Sequence, residues 1–260
     1  MSQTAMTGVE PRPVAEQAVV VLGGTSGIGM EIARVFLAEG ARVVIAGRNE
    51  ARGQAASETL GTPFRPCDGA DPASVETLMR EASAELDRID TLVMSTGGAR
   101  LPELLFRQSL EDIRAGLMHD LAPFLYAARA VLPGMMAEGR GTILSIASDA
   151  GKVATPGEAV IGAGMAAIIQ FTRTLAMEAK RNGVRANVIT PSLVEGTPLT
   201  ARLMEEGRFS AKLFAKARPL AGLGPTEAAD VAALALFLAS PAARRITGQA
   251  ISVNGGISAA

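Results

Sequence analysis

The chain has 260 residues, which suits one α/β domain, and 48% of them are hydrophobic, enough for a large core. Its net charge of −1 and the lack of an uninterrupted apolar run of roughly 18 residues argue against nucleic-acid and membrane partners. The single cysteine, Cys67, excludes an intramolecular disulfide and fits a reducing compartment, so we expect a cytoplasmic protein.

Strand and helix patterns alternate along the chain once a polar segment, residues 1–16, has passed; that segment lacks an apolar secretory core and is predicted to be a flexible tail. AVVVL (18–22), the helical spacing of 27–39 and ARVVIAG (41–47) form a βαβ unit, which implies parallel strands. Further helices are predicted over 49–60, 72–86, 109–130, 157–182 and 226–239, and further strands near 63–66, 91–95, 141–148, 184–190 and 250–254. The pattern predicts one α/β domain over 17–260, a single Rossmann-type doubly wound parallel sheet of about seven strands, with a variable segment at 193–224.

A glycine-rich turn, LGGTSGIG (22–29), joins the first strand to the first helix. Gly23, Gly27 and Gly29 allow a tight turn and a close approach to the backbone, and the free N–H groups at a helix start favour a phosphate. Thr25 and Ser26 add hydroxyl donors. An ordinary glycine-rich turn is the alternative, but the strand–turn–helix context favours a dinucleotide site.

The second strand ends at Gly47-Arg48, where the ribose of a dinucleotide is selected. A free 2′-hydroxyl favours a carboxylate at this point, whereas a 2′-phosphate favours a cation. We therefore expect NADP(H) to be preferred over NAD(H). A solvent-exposed loop arginine is the alternative, and the nearby Glu50 complicates the choice.

These motifs resemble those of the short-chain dehydrogenase/reductase family over roughly 17–260. GGTSGIG resembles the family's glycine-rich turn, Cys67-Asp68 the pair after its third strand, and MSTG (94–97) the place of its Asn-Asn-Ala-Gly. ILSIAS (143–148) resembles the fifth strand, which puts Ser148 at the family's catalytic serine.

Three further segments resemble the family with one changed residue each. SLEDIRAGLMHDL (109–121) resembles the helix of the catalytic asparagine, a position that Asp120 holds here. TPSLVEGTP (190–198) resembles the loop over the nicotinamide, with Ser192 for a glycine, and TGQAISVNGG (247–256) resembles the C-terminal strand, with Asn254 for an aspartate. The motifs and the resemblance together imply these cofactor contacts: Gly23, Thr25, Ser26, Gly27, Ile28, Gly29, Arg48, Asp68, Gly69, Ser95, Thr96, Gly97, Pro191, Ser192, Val194 and Thr197.

The proton-transfer pair of the family is missing from its expected place. In the family a tyrosine lies thirteen residues after the serine and a lysine four further on; counted from Ser148 these positions are Ile161 and Met165. The only tyrosine is Tyr126, and no lysine lies within 153–179, so a shifted register does not restore the pair. Hydride addition to a carbonyl needs a proton on the oxygen, and a positioned acid contributes about 10²–10⁴ in rate.

The residues left for this chemistry each have an ordinary structural explanation as well. Ser148 can orient a carbonyl oxygen or simply cap a turn, and Lys152 can replace the acid or be a solvated loop lysine. Asp120 brings a carboxylate into the family's relay region. His119 is a relay candidate or a helix-face residue, and Glu158 can simply favour a helix start.

Three functions therefore stay open. The first is an NADP(H)-dependent oxidoreductase for a carbonyl or related small molecule, whose proton comes from substrate, water, Ser148 or Lys152. The second is a non-catalytic NADP(H)-binding pseudoenzyme or partner subunit, and the third is a non-redox isomerase or lyase in the same pocket. No Cys/His cluster indicates a metal. The resemblance implies a homodimer or homotetramer with Gly162 and Gly164 at a close helix contact, and a substrate-covering loop at 193–224.

Overall fold

The computed structural model describes residues 10–97 and 100–260. Its nine strands are β1 (Ala18–Leu22), β2 (Arg42–Gly47), β3 (Phe64–Pro66), β4 (Thr91–Met94), β5 (Gly141–Ile146), β6 (Val184–Pro191), β7 (Val194–Glu195), β8 (Thr226–Glu227) and β9 (Ala250–Val253). Seven of them form one sheet in the order β3-β2-β1-β4-β5-β6-β9, and every pair in it is parallel. This confirms the predicted Rossmann-type α/β fold. β7 and β8 form a separate two-stranded parallel pair that the sequence pattern did not predict.

Helices cover both faces of the seven-stranded sheet. They are α1 (Gly27–Ala38), α2 (Glu50–Leu60), α3 (Pro72–Leu86), α4 (Leu110–Ala137), α5 (Ala159–Ala179), α6 (Pro198–Leu203), α7 (Phe209–Ala217) and α8 (Ala228–Ala239). Val19 and Val21 of β1 face the core shared with α1 and α8, whereas Val20 and Leu22 face the core under α3, α4 and α5. Both faces are buried, which explains why β1 is apolar throughout. The connections leave β1 in opposite directions to β2 and β4, so a crevice opens there at the carboxyl ends.

Two predicted boundaries differ from the structure. α4 was expected to end at residue 130 but continues to Ala137, with Pro123 and Pro133 inside it. Val131 and Met135 are buried in the core, and this packing holds the last turns despite the missing proline N–H. The prediction of a flexible tail is wrong for residues 10–16. Val14–Glu16 form a 3₁₀ turn, and the Arg12 guanidinium pairs with the Asp90 carboxylate at 3.1 Å. The rest of that predicted tail lies outside the described residues.

The predicted pairing of α5 between subunits requires Gly162 and Gly164 to face outward. In the structure both glycines face other parts of the same chain. A Cβ atom at Gly162 would lie 2.6 Å from the Ala150 carbonyl oxygen, and one at Gly164 would lie 3.5 Å from the Asp120 Cβ. Gly164 is buried between α5 and α4. Both glycines therefore make room for neighbours within the chain, and that prediction of their role is wrong.

One helix, with its following turn (Ala159–Asn182), is long and apolar enough to cross a membrane, with a mean hydropathy of 1.4. The sequence search missed it because Gln170 and other polar residues interrupt the apolar run. Within the domain this helix packs on β6 and α4, and Ile168 and Ile169 lie in the core. The core helix of a compact domain passes the same test of length and composition.

Candidate active site

A cavity of about 450 Å³ opens at the carboxyl ends of the strands, at the β1–β4 crevice. Every predicted cofactor residue except Gly29 lines it, and so do Asp120, Ser148, Ile161 and Met165. The structure thus brings the predicted dinucleotide site and most of the predicted reaction site into one space.

The glycine-rich turn forms one wall of the cavity. Gly23 has a φ of +89°, and a Cβ atom there would lie 2.4 Å from the Ser95 carbonyl oxygen. Gly29 does not line the cavity: its Cβ would lie 2.2 Å from the Gly23 carbonyl oxygen, so this glycine allows α1 to lie close to the turn. Ser26 precedes α1 without a side-chain capping bond, which leaves the N–H groups of the first turn for an anion.

An orphaned hydroxyl supports a polar ligand in the same cavity. The Thr96 Oγ1 atom is buried and has no hydrogen-bond partner among residues 10–97 and 100–260, and Thr96 lines the cavity. Buried hydroxyls are normally hydrogen-bonded, and a bound ligand can provide the missing partner. Together with the open helix start, this donor fits a nicotinamide dinucleotide.

Two arginines lie where the second strand meets the cavity. Arg48 is exposed and contacts the Nε2 atom of His119. This ring nitrogen of His119 therefore has a partner, as expected for a residue on the face of a helix. Arg52, one helical turn further on, donates from Nε to the Thr25 Oγ1 atom at 3.3 Å and also lines the cavity. The sequence analysis did not predict Arg52, which lies in the first turn of α2 four residues after Arg48, whereas Arg48 precedes the helix. Glu50 does not line the cavity.

At the reaction end of the cavity, Ser148 lies near the two apolar residues. Its Oγ atom accepts a hydrogen bond from the Ala150 N–H at 3.2 Å, as a turn cap does. The hydroxyl proton stays available for a second bond, so the turn cap is compatible with the catalytic role, which stays a prediction. Ile161 and Met165 present only apolar atoms, so neither supplies a proton or a positive charge.

Lys152 does not line the cavity, so the prediction that Lys152 replaces the missing acid is wrong. Its Nζ atom donates to the Ser252 Oγ atom at 2.5 Å and to the Ala260 carbonyl at 2.9 Å, and lies 3.7 Å from an Asp149 oxygen. The side chain is 11% exposed, so it is not a solvated loop lysine either. Asn254 donates to the same buried Asp149. These contacts join the segment after β5 to the C-terminal strand.

Two carboxyl groups line the cavity beside the apolar pair. Burial raises the pKa of Asp120, against the opposing charges of Arg100 and His119. Burial also raises the pKa of Glu158, against a hydrogen bond from Thr155. Sequence reasoning treated Glu158 only as a helix-start residue. The sequence does contain a signal that places Glu158 in the cavity. Glu158 precedes Ile161 by three residues, and residues three apart on a helix share a face.

Side chains of the segment 193–224, the covering segment, line the cavity, and its role in covering a substrate stays a prediction. Its helices bury Leu203 and Phe214 with Leu193 in a small core of their own, and Leu203 and Phe214 also line the cavity. Met204 and Leu213 are half-buried in the same cluster. The ring of Phe209, at the start of α7, packs against Gly157, where a Cβ atom would lie 2.3 Å from the ring.

Comparisons with known proteins agree with this fold. A family model described as enoyl-(acyl carrier protein) reductase matches residues 23–258. The 3-oxoacyl-[acyl-carrier-protein] reductase FabG of Chlamydia pneumoniae is 34% identical over 244 residues, covering 92% of this chain and 96% of the relative. The reductase of that name from Escherichia coli strain K12 is 32% identical over 240 residues, with coverages of 92% and 96%. A solved structure of a "short chain dehydrogenase/reductase family protein" is 34% identical, with a TM-score of 0.79 over 92% of this chain and 95% of that one. The chain belongs to the short-chain dehydrogenase/reductase family.

Proposed function

We propose that this protein is an NADPH-dependent oxidoreductase that reduces a carbonyl or related small molecule without the tyrosine–lysine pair of its family. One observation carries the proposal: a single cavity joins the open helix start and Arg48 to Ser148, to the buried Asp120 carboxyl and to the half-buried Glu158 carboxyl. A phosphate-binding end and a proton-transfer end in one space are what a reductase needs.

The residues of the cavity divide the work of binding. The first turn of α1 offers backbone N–H groups to the pyrophosphate, and Arg48 with Arg52 offers guanidinium groups to a 2′-phosphate. The Thr96 hydroxyl has a free donor for the same ligand. When bound, the cofactor supplies a hydride. No carboxylate replaces the two guanidinium groups at the ribose position, since Glu50 lies outside the cavity, and this favours NADP(H).

The reaction end positions the substrate. The Ser148 hydroxyl donates to the carbonyl oxygen while its lone pair stays bound to the Ala150 N–H. Ile161, Met165 and the side chains of the covering segment exclude water and hold an apolar part of the substrate. The substrate class to test first is a 3-oxoacyl compound, since both relatives described above are 3-oxoacyl-[acyl-carrier-protein] reductases.

Ile161 and Met165 favour a second candidate, a pseudoenzyme that binds NADPH without turnover. A titration with NADPH, followed by single-turnover oxidation with the acetoacetyl thioester of N-acetylcysteamine, a quinone and a cyclic imine, separates the two. Oxidation that depends on substrate supports the reductase. Tight NADPH binding without oxidation supports the non-catalytic alternative, and substrate conversion without net NADPH oxidation supports an isomerase or lyase.

We also propose a homodimer or homotetramer, although the contact predicted at Gly162 and Gly164 is wrong. Apolar side chains exposed on α4, namely Leu110 and Met118, support an interface on this side of the domain. Their exposed fractions are 86% and 48%.

A further inference from the structure

Glu158 is the residue immediately before α5, and it lines the cavity. Its side chain makes no capping hydrogen bond to the first turn of that helix. Ile161 lies three residues further on and lines the same cavity. A carboxyl group therefore enters the cavity one helical turn before the residue that the resemblance aligns with the missing tyrosine.

Two other parts of the chain hold the backbone next to this carboxyl group. The Gly157 carbonyl accepts a hydrogen bond from the Glu103 N–H at 2.8 Å. Gly157 has a φ of +85°, and the Phe209 ring of α7 occupies the space of a side chain there. The covering segment and the stretch before α4 thus both pack on the residue that precedes Glu158. This arrangement fixes where the carboxyl group enters the cavity.

Glu158 suits an acid better than the other carboxyl group does. Asp120, on α4, is 4% exposed, and the charges of Arg100 and His119 act on it to favour its ionised form. Glu158 is half-buried. Burial raises the pKa of Glu158, and the effect that lowers it is a hydrogen bond from Thr155 rather than a nearby cation. A general acid must hold its proton and recover it from solvent. Partial exposure and the lack of a dominant cation meet both needs.

We propose that the Glu158 carboxyl is the general acid of this site, an assignment that rests on the proposed function. The substrate carbon gains a hydride from the reduced nicotinamide, which is thereby oxidised, and the C=O π pair moves to oxygen. That oxygen forms its O–H bond with the proton of the Glu158 carboxyl, whose own O–H bond breaks. The Glu158 carboxylate then regains a proton from water.

Single-turnover oxidation of NADPH with the acetoacetyl thioester of N-acetylcysteamine tests the assignment. Glu158→Gln should lower the rate by about 10²–10⁴, the usual contribution of a positioned acid, while NADPH affinity is retained. Glu158→Asp, which keeps an acid on a shorter stem, should recover part of the rate. The matched control is Glu178→Gln, the same change at an exposed position on α5, and it should leave the rate unaltered.

A second measurement needs neither turnover nor cofactor. In the cofactor-free protein with ¹³C-labelled glutamate carboxyls, one resonance should titrate above the ordinary glutamate range, vanish in Glu158→Gln and persist in Glu178→Gln. If Glu158→Gln does not fold, the rate of Glu158→Asp and the titration of the unaltered protein test the assignment instead.

The outcomes separate this assignment from the proposed function. Rapid oxidation by Glu158→Gln, or an ordinary titration of Glu158, overturns the assignment and leaves the reductase standing. NADPH binding without oxidation by the unaltered protein overturns both.

Discussion

Replacing the buried Asp120 by asparagine should stabilise the protein at neutral pH. The carboxyl group is 4% exposed and lies between α4 and α5, with one oxygen 3.9 Å from the position of a Cβ atom at Gly164. Burial raises its pKa, and the charges of Arg100 and His119 offset only part of this effect. Asparagine keeps the shape of the side chain and removes the buried charge.

The sign follows from proton linkage. A carboxyl group whose pKa is higher in the folded state than in the unfolded state binds its proton more tightly when the chain is folded. Its stabilising contribution is complete below the unfolded pKa and is lost as the pH rises through the folded pKa. Asp120→Asn should therefore raise Tm near pH 8 and lose this advantage below about pH 3, where the aspartic acid is protonated in both the folded and the unfolded chain.

Each unit of pKa difference corresponds to about 1.4 kcal/mol. For a chain of this size, about 1 kcal/mol shifts Tm by about 2–4 °C, so each unit by which folding raises the Asp120 pKa should appear as a gain of several degrees near pH 8. Calorimetry is the suitable assay because the chain has no tryptophan. The control is Glu178→Gln, an exposed carboxyl on the adjacent helix. Equal Tm values at both pH values, or a loss of stability in Asp120→Asn near pH 8, would refute this reasoning.

Three further predictions concern the cofactor, the assembly and the apolar pair. In a binding titration NADPH should bind more tightly than NADH, by about 1.5–3 kcal/mol. Arg48→Ala should remove most of this difference in binding free energy, and Arg52→Ala should remove a further part. Equal affinities of the unaltered protein for NADPH and NADH would contradict the prediction. Light scattering at micromolar concentration should give a dimer or tetramer, and a monomer would contradict it. Met165→Lys should slow single-turnover NADPH oxidation, whereas Met177→Lys, exposed on the same helix, should not.

The sequence predicts the fold, and the residues that line the proposed cofactor end of the cavity, because these signals are local. The alternation of strands and helices lies within windows of ten to twenty residues, and the glycine-rich turn requires backbone positions that only glycine fits. Gly23, with a positive φ and the Ser95 carbonyl against it, shows this directly. The position of Arg48 follows from the end of β2 by the same local logic. The cytoplasmic location stays a prediction.

The reaction end is harder to predict because its contacts join distant parts of the chain. Lys152 follows Ser148 closely, yet its partners are Ser252 and Ala260, about a hundred residues later. Gly162 and Gly164 indicate a close approach but not by what, and the approach turns out to be internal. Glu158 has the pattern of any acid at a helix start, and only the three-dimensional structure shows that its side chain does not cap the helix.

The methionine at position 165 and the proposed carboxylic acid are physically connected. A cation at position 165 would lie in the cavity that also holds Asp120 and Glu158, where it would favour their ionised forms. Met165, buried and neutral, leaves desolvation as the main influence on both groups, so they keep their protons more readily. Met165→Lys therefore restores a family residue and yet should deprive the site of its acid. In the cofactor-free protein it should move the Glu158 resonance to a lower pKa, an effect that the exposed Met177→Lys lacks. Faster turnover in Met165→Lys would mean that the carboxyl groups do not carry the proton.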